Sequence, residues 1–362
     1  KLQKDNPHFP GFAGPQEYHR IPTFDPPTAE YTPVQRATDV KSIIDIGDSH
    51  GLTLAGAYFT SAEEFLVANS NGLRAYQPNT SAAISVVAMA DDFSGYAQGI
   101  SRRVTELNLA GIGTRACEKA RMGRNPIDLE VGKYDVILEP SAICELIEWT
   151  GYVGLGSKAL EEETSFLHGR LGEKVAGDNI TLYDNAFEGG FTWAFDQEGI
   201  PKQEVFFIKD GIAQGIVYDR ISGHKHGHDS TGHMAGQQST GDGSAPMHIH
   251  LKAGTDKYQE LLDRVERGIL ITRTHYVNGL LDPRKLMMTG LTRDGAFLIE
   301  NGKVTKGLRN MRFTQSILES LSKVEGITAE REACPAWWGA AGTYLMPTVL
   351  IRDFEFTGKT DH

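Results

Sequence analysis

The chain has 362 residues, of which 40% are hydrophobic and 23% charged, a size and composition typical of two globular domains. Its formal net charge is −11. This charge argues against direct binding to nucleic acid or to an anionic membrane, because phosphate binding needs clustered Lys and Arg. No apolar run reaches the length of a transmembrane helix.

The cysteine content and the first residues of the chain indicate the cellular compartment of the protein. Cys117, Cys144 and Cys334 are few, odd in number and far apart, which favours a reducing compartment over a disulfide framework. The start of the chain lacks the apolar core of a signal peptide, so we expect a cytoplasmic protein. Because residue 1 is Lys, we also expect a further N-terminal stretch in the native protein.

Residues 1–125 are predicted to form an N-terminal α+β domain, truncated at its start. The Pro-rich residues 1–33 predict an extended segment laid over a surface, and Asn71-Gly72 predicts a hairpin turn. Two helices are predicted over Val34–Gly51 and Ser101–Met122, with strands between them over Thr53–Thr60, Glu63–Ser70, Leu73–Gln77 and Ser81–Ala90. The polar stretch Asn125–Lys133 is the predicted domain boundary.

Residues 134–362 are predicted to form a β-rich C-terminal domain. Asp210-Gly211 and Asn301-Gly302 predict tight hairpin turns, and Ser222–Ala245 predicts a long, mobile, His-rich loop. Strands are predicted over Tyr134–Leu138, His248–Lys252, Ile269–Tyr276, Phe297–Glu300, Lys303–Leu308 and Thr348–Phe356, and helices over Ser141–Trp149, Ser157–Phe166, Thr255–Gly268 and Thr314–Lys323. Without strand–helix–strand alternation, we predict an α+β fold with predominantly antiparallel sheets and packed helices.

Half of the twelve histidines fall within 27 residues of one another. They are His224, His226, His228, His233, His248 and His250. Imidazole binds Zn, Ni or Cu well, and His-x-His spacing on a strand places two rings on one face, about 7 Å apart. The alternative is a flexible polar loop that binds no metal, with His248 and His250 facing solvent. We favour the alternative because a metal site needs a rigid frame.

Several short motifs resemble, in order and spacing, those of the TldD/PmbA family, a peptidase-related family also named modulator of DNA gyrase. The resemblance extends over about residues 69–357. The motifs are LGEKV at Leu171–Val175, DxEGxP at Asp196–Pro201, IxxGxxxG at Ile208–Gly215, STGH at Ser230–His233 and LIENGKV at Leu298–Val304.

The resemblance implies a metal site in one branch of this family, and this chain departs from it. That branch carries HExxxH on the helix after the first strand of the C-terminal domain, with a distant Cys as a further ligand. Here the segment Ala142–Val153 contains no histidine. Glu145 and Glu148 share one helix face, but two carboxylates without imidazole make a poor zinc site. We predict a packing helix with a partly exposed acidic edge, and we expect no cofactor in this chain.

Cys334 occupies the place that the resemblance assigns to the Cys ligand. A lone thiolate does not complete a catalytic site, and a cysteine nucleophile needs a neighbouring His to lower its pKa. Cys334 and Glu148 therefore remain weak catalytic candidates. The more ordinary interpretation of Cys334 is a small, semi-buried residue beside Trp337 and Trp338.

The remaining family motifs have structural interpretations. Their residues are Asp196, Glu198, Gly199, Gly211, Gly232 and His233. In the acidic turn, Gly199 is predicted to adopt a backbone conformation that other residues resist, and Pro201 fixes the start of the next segment.

The absence of HExxxH, together with the presence of the STGH motif, places the chain in the PmbA/TldE-like branch by resemblance. That branch implies a subunit without metal that pairs with a zinc-bearing TldD-like subunit and helps to hold extended or unfolded peptides, in leader-peptide maturation or proteolysis. Strand addition is one way to hold such peptides. Two alternatives stay open. The first is an autonomous metal- or Cys-dependent hydrolase that uses the His-rich loop, and the second is a homodimeric peptide-binding scaffold without catalysis.

Overall fold

The protein is an α+β molecule built on two β-sheets. The computed structural model describes residues 6–189, 193–235, 243–335 and 343–360. Within these ranges, no helix is both long enough and apolar enough to cross a membrane.

The smaller sheet is a three-stranded antiparallel meander near the start of the chain. Its strands are β1 (Thr53–Ala68), β2 (Arg74–Met89) and β3 (Ser94–Ser101), and the helices around it are α1 (Pro26–Ala29), α2 (Pro33–Ser49) and α3 (Leu109–Met122). Helix α2 begins where expected, because Thr32 and Gln35 form a capping box and Pro33 occupies the first helical position.

Two predictions in this region are corrected. Four strands were predicted here, but the structure has two long strands in their place. Strands β1 and β2 pair without interruption from Thr53↔Met89 to Ala68↔Arg74. The predicted helix Ser101–Met122 begins only at Leu109, where Asn108 caps it. A strand that the sequence patterns did not predict precedes it at Ser94–Ser101, and its glycines Gly95 and Gly99 let α3 pack closely on the sheet.

The larger sheet has eleven strands in the order β11-β10-β9-β4-β14-β8-β5-β6-β7, with β12 beside β10 and β14, and β13 beside β14. The strands are β4 (Gly132–Leu138), β5 (Leu182–Asp184), β6 (Val205–Lys209), β7 (Ile212–Ala213), β8 (Ile249–Leu251), β9 (Arg267–Asp282), β10 (Met287–Glu300), β11 (Lys303–Gly307), β12 (Met311–Ser316), β13 (Val324–Pro335) and β14 (Thr343–Lys359).

Most strand pairs are antiparallel, as predicted, but two are parallel. Strand β4 pairs in parallel with β9, and β14 pairs in parallel with β8. The chain leaves β4 through a long segment that contains helices and returns as β9, a connection that the sequence patterns did not reveal.

Five helices belong to the larger sheet. They are α4 (Pro140–Gly154), α5 (Ser157–Glu161), α6 (Arg220–His226), α7 (Tyr258–Asp263) and α8 (Ile317–Ser322). The predicted helix Thr255–Gly268 is shorter than expected, because Arg267 already starts β9. The prediction of an irregular loop from Ser222 is wrong for its first residues, since Asp219 caps α6 and Gly227 ends it at φ 73°. Residues 236–242 of that loop lie outside the described residues.

The two sheets meet where β3 packs against β9 and β10. The guanidinium of Arg273 lies 4.2 Å from the centroid of the Tyr96 ring and forms an ion pair with Asp294. Ser94 Oγ donates to the same Asp294 carboxylate at 2.7 Å. These charge-assisted contacts hold β3 beside the larger sheet.

Candidate functional site

Helix α4 stands at the centre of the C-terminal core. Nearly every residue of it is buried, and apolar residues surround it on all sides, as expected for a core helix. Glu145 is 8% and Glu148 5% exposed. The predicted partly exposed acidic edge is therefore wrong.

Glu145 is held by hydrogen bonds inside this core. Its Oε2 accepts from Thr274 Oγ1 at 2.6 Å, and its Oε1 accepts from the Val277 backbone N–H at 3.4 Å. Burial raises its pKa, and these hydrogen bonds offset the shift only in part. The carboxylate thereby ties α4 to β9.

The two weak catalytic candidates lie on facing elements, Glu148 on α4 and Cys334 on β13. Cys334 is 1% exposed, and its thiol is the hydrogen-bond neighbour of Cys144 on α4. Burial, followed by this contact, raises the pKa of Cys144 well above its usual range. This raised pKa opposes formation of a Cys144 thiolate beside the two glutamates of α4. Trp337 and Trp338, expected beside Cys334, lie outside the described residues.

The six clustered histidines divide into two separate groups. His224 and His226 lie on α6, followed by His228, and all three are exposed. His226 Nε2 lies 2.8 Å from Glu161 Oε1, and His228 stacks on Tyr218 with ring centroids 4.8 Å apart. His226 and His228 are thus engaged by protein partners at the surface.

The second group, His233, His248 and His250, is buried, and each of the three is at most 2% exposed. The expectation that His248 and His250 face solvent is therefore wrong. His250 Nδ1 accepts from the Leu345 backbone N–H at 3.0 Å, so the proton is on Nε2, which donates to the Asn185 carbonyl at 2.9 Å. With both ring nitrogens occupied, His250 fastens β8 to its neighbours.

Asp184 joins this buried group together. Its Oδ1 lies 3.1 Å from His233 Nε2, and its Oδ2 accepts from the backbone N–H groups of Met247 and His248. Burial alone would raise its pKa. The charge and hydrogen bond of His233, with Lys202 and His248, more than offset burial, so the pKa of Asp184 is lowered well below its usual range.

His233 has no free nitrogen either, because its Nδ1 lies 2.8 Å from the Thr231 carbonyl. Among the residues that the structure describes, no group of three or more His, Cys, Asp or Glu side chains is placed to hold a metal ion. The sequence singled out the histidines but missed Asp184 and Lys202. The only sequence signals were that Asp184 ends the apolar run Leu182-Tyr183 and that Lys202 follows Pro201.

The acidic turn packs against the same buried group. Asp196 Oδ1 accepts from the N–H groups of Glu198 and Ile200, and its Oδ2 accepts from that of Met234. Gly199 has φ 73°, as its predicted conformation requires. Burial raises the pKa of Glu198 to about 7, against the hydrogen bond from the Arg220 N–H. The turn thus fixes the STGH segment and supports its structural interpretation.

Gly211 and Gly232 each lie where a backbone approaches closely. A Cβ at Gly211 would lie 2.7 Å from the Ala176 carbonyl, and one at Gly232 would lie 2.2 Å from the Pro201 carbonyl. Both glycines also have positive φ. These positions hold the Asp210-Gly211 hairpin and the STGH segment in place.

A groove of about 790 Å³ lies between the two sheets. It is bounded by Tyr96–Gln98 of β3, by Thr328–Glu332 of β13 and by the start of α4. In the described part of the chain, the only ladder partner of β3 is β2 and that of β13 is β14. The outer edge of β13 is already occupied at Thr328 and Ala329, which bond to the backbone of Gly254 and Asp256. The edge of β3 and the remaining edge of β13 therefore border one groove, a feature that no sequence pattern indicated.

Charged groups cross this groove in pairs. Arg115 lies 2.8 Å from Glu332, and Lys119 lies 2.5 Å from Glu139. Arg115 also donates to the Gln98 carbonyl of β3 at 3.0 Å. The groove is therefore polar at its rim and close to neutral in charge.

Mild acid is expected to destabilise the fold through His248. Burial lowers the pKa of this residue from 6.5 to about 3. Its stabilising contribution is present above pH 6.5 and is lost as the pH falls, because only the unfolded chain then takes up the proton. From pH 7.5 to 5.5 the free energy of unfolding should fall by about 1.4 kcal/mol from this residue.

Urea denaturation at the two pH values measures this loss. His248→Gln should reduce the pH dependence, whereas His224→Gln, at an exposed position, should leave it unchanged. An unaltered pH dependence in His248→Gln would contradict the assignment.

Comparisons with known proteins agree with this architecture. The model of the PmbA/TldA metallopeptidase C-terminal domain matches residues 131–358, and that of the central domain matches residues 31–124. A metalloprotease of Methanothermobacter thermautotrophicus is 23% identical over 92% of this chain and 75% of its own length. One of Methanocaldococcus jannaschii is 27% identical over 58% of this chain and 47% of its own length.

Solved structures share the fold. The crystal structure of TldE from Thermococcus kodakarensis has a TM-score of 0.88 at 23% identity, and the match covers 99% of this chain and 81% of that one. A Thermotoga maritima protein suggested to be a modulator of a DNA gyrase has a TM-score of 0.86 at 20% identity, over 96% and 79% of the two chains. At these identities the likeness shows the fold alone.

Proposed function

Because this chain belongs to the PmbA/TldD metallopeptidase family, we propose that it is a non-catalytic subunit that binds extended peptides for a metal-bearing, TldD-like partner. The observation that carries the proposal is the groove between β3 and β13. It offers the outer edge of β3 and part of the edge of β13, beside a helix α4 that contains no histidine.

The groove suits a peptide in extended conformation. A strand edge presents backbone N–H and C=O groups, and an added strand pairs with them independently of its side chains. Main-chain pairing also suits a protein that handles unfolded or leader peptides of varied sequence. Arg331 at the groove wall contacts Tyr183 and Glu188, so this wall is fixed by side chains already in place.

The site chemistry supports a partner role over autonomous hydrolysis. The helix that carries HExxxH in the metal-bearing branch here carries Cys144, Glu145 and Glu148, all buried. The buried imidazoles of His233 and His250 use both ring nitrogens within the protein. Cleavage would then come from zinc held by the partner, acting on a peptide presented by this chain in the cytoplasm.

Purification from the native host tests the partnership. We expect a tagged chain to bring down a relative that carries HExxxH, and peptidase activity that a chelator abolishes only in the mixture. Chelator-sensitive activity and stoichiometric metal in the chain alone would instead establish an autonomous hydrolase. A homodimer without such a relative would establish the scaffold.

Filling the groove is expected to abolish peptide binding. Ala329 lines the groove and is exposed, so Ala329→Trp should place an indole in the peptide's path without disturbing the core. We expect at least a tenfold loss of affinity for a fluorescein-labelled unfolded peptide, measured by fluorescence anisotropy.

The control is Ala62→Trp, on an exposed position of β1, at the edge of the small sheet opposite to β3. It adds the same indole and should leave the affinity unchanged. Equal affinity of the two variants would exclude the groove as the peptide site.

A further inference from the structure

Strand β1 is an unprotected edge of the small sheet. Among the described residues it pairs only with β2, and no backbone group outside that pair is bonded to it. Proteins usually protect an edge strand with Lys, Pro or a bulge. The sixteen residues of β1 contain neither Lys nor Pro, and the pairing with β2 has no register shift. The outer backbone groups of β1 are therefore available to another strand.

An apolar stripe on α2 lies beside this edge. Its members recur at helical spacing and are all exposed: Pro33, Ala37, Val40 and Ile44. The stripe is not part of the core, because α3 packs on α2 at Ile43 and Ile46 instead. Val40 and Ile44 border a crevice of about 70 Å³ against residues 54–58 of β1. The edge of β1 and the stripe thus form one continuous surface, the β1–α2 surface.

Helix α2 runs antiparallel to β1 over the first half of the strand. Gly47 lies against Leu54, since a Cβ there would lie 2.2 Å from the Leu54 side chain. Nearer the start of the helix, Arg36 Nη1 donates to Thr60 Oγ1 at 2.6 Å. The middle of α2 therefore lies over Ala57, which is midway between Leu54 and Thr60.

The β1–α2 surface is complementary to itself about a two-fold axis at Ala57. Antiparallel pairing of two β1 strands about this residue places Tyr58 opposite Gly56 and Phe59 opposite Ala55, so each large side chain faces a small residue. It also covers Phe59, which is 65% exposed. The same axis brings the two α2 stripes together, apolar against apolar.

Charge and size also suit a second copy. The charged residues of β1 are Glu63 and Glu64, and this register places them opposite Gly51 and His50 of the other copy, so no two carboxylates face each other. Residues 53–61 of each copy pair. With the stripe they amount to fewer than the roughly 20–30 residues a side of a standard interface, so we expect a reversible dimer.

We infer that the β1–α2 surface binds a second copy of this chain and joins the two small sheets into one six-stranded antiparallel sheet. The stripe of each α2 packs on that of the other copy and covers the joined strands on one face. This inference goes beyond the proposed function and is independent of it. Strand β3, which borders the groove, is the opposite edge of the small sheet, so the dimer leaves the groove open.

Size-exclusion chromatography with light scattering, over a range of concentrations, tests the dimer. We expect the mass to rise from 39.7 kDa towards twice that value. Ile44→Lys should weaken the dimer at least tenfold, because it puts a charge in the stripe. Val34→Lys is the matched control and should leave the dimer intact, because Val34 is 76% exposed on the same helix but outside the stripe.

Three results would overturn the inference. The first is a mass of 39.7 kDa at every concentration, and the second is a dimer that Ile44→Lys leaves intact. The third is a chain that stays monomeric alone and associates only with an HExxxH-bearing relative, with that association lost in Ile44→Lys. This last result would assign the β1–α2 surface to the relative.

Cysteine cross-linking tests the position of the axis. The three native cysteines are buried, so an added thiol on β1 reacts selectively. In Ala57→Cys the two thiols lie opposite each other, and oxidation in air with copper–phenanthroline should join them as a disulfide. In Ala62→Cys each thiol faces residue 52 of the other copy and should stay free. With both variants folded by circular dichroism, equal cross-linking of the two, or none in Ala57→Cys, would overturn the two-fold pairing.

Discussion

Replacing Asp184 with Asn is expected to lower the free energy of unfolding by about 3–5 kcal/mol. The carboxylate is fully buried and accepts from the N–H groups of Met247 and His248 while it faces His233. An amide of the same size can keep the bonds from the Met247 and His248 N–H groups to one oxygen, but it places an uncharged NH2 where a carboxylate oxygen faced His233. Lys202 also keeps a buried charge that Asp184 no longer balances.

Urea denaturation at pH 7.5 measures this effect. The matched control is Asp178→Asn, because the Asp178 side chain is 82% exposed and its removal should change the free energy of unfolding by less than about 0.5 kcal/mol. Similar behaviour of the two variants would show that the buried group does not depend on the Asp184 charge.

Gly232→Ala should cost about 3 kcal/mol or more, well above the cost of the same change at Gly227. Both glycines have φ near +74°, so an alanine at either is strained by a similar amount. They differ in the space available to an added Cβ. A Cβ at Gly232 would lie 2.2 Å from the Pro201 carbonyl, whereas nothing lies within 4 Å of one at Gly227.

Comparing the two variants separates the cost of the close contact at Gly232 from the cost of the backbone conformation that both glycines share. Gly227→Ala should cost only about 1–2 kcal/mol, and the excess in Gly232→Ala reports the contact between the STGH segment and the acidic turn. Because Thr231 and His233 flank Gly232, the variant should also weaken the contact between His233 and Asp184. Equal costs in the two variants would mean that the two segments separate freely.

Local patterns in the sequence were enough to predict individual hairpins and helix starts. Asp210-Gly211 and Asn301-Gly302 are tight turns with positive φ at both residues, because only a few residue types tolerate that conformation. The start of α2 was likewise predicted to within one residue, at Val34 instead of Pro33. The predicted division of the chain at Asn125–Lys133 stays a prediction.

Pairing between distant segments could not be predicted in the same way. The parallel pair of β4 and β9 depends on what lies between them in space, and no local pattern records that. Thr255–Gly268 has an apolar spacing suited to a helix, but its last residues join β9, where neighbouring strands overrode the local preference.

The candidate site shows the same limit. His248 and His250 were conspicuous in the sequence, yet their burial depends on β5 and β14, which cover them in the folded chain.

The central position of β14 has a consequence for how the protein folds. Residues 349–356 of β14 pair with residues 132–138 of β4, and the same strand also contacts β8, β12 and β13. Closing such long loops is slow, and the exposed edges of β4 and β13 invite aggregation until it happens. The large sheet therefore cannot be completed until synthesis has passed residue 359, and shorter nascent chains leave the partner edges of β4, β8, β12 and β13 unpaired.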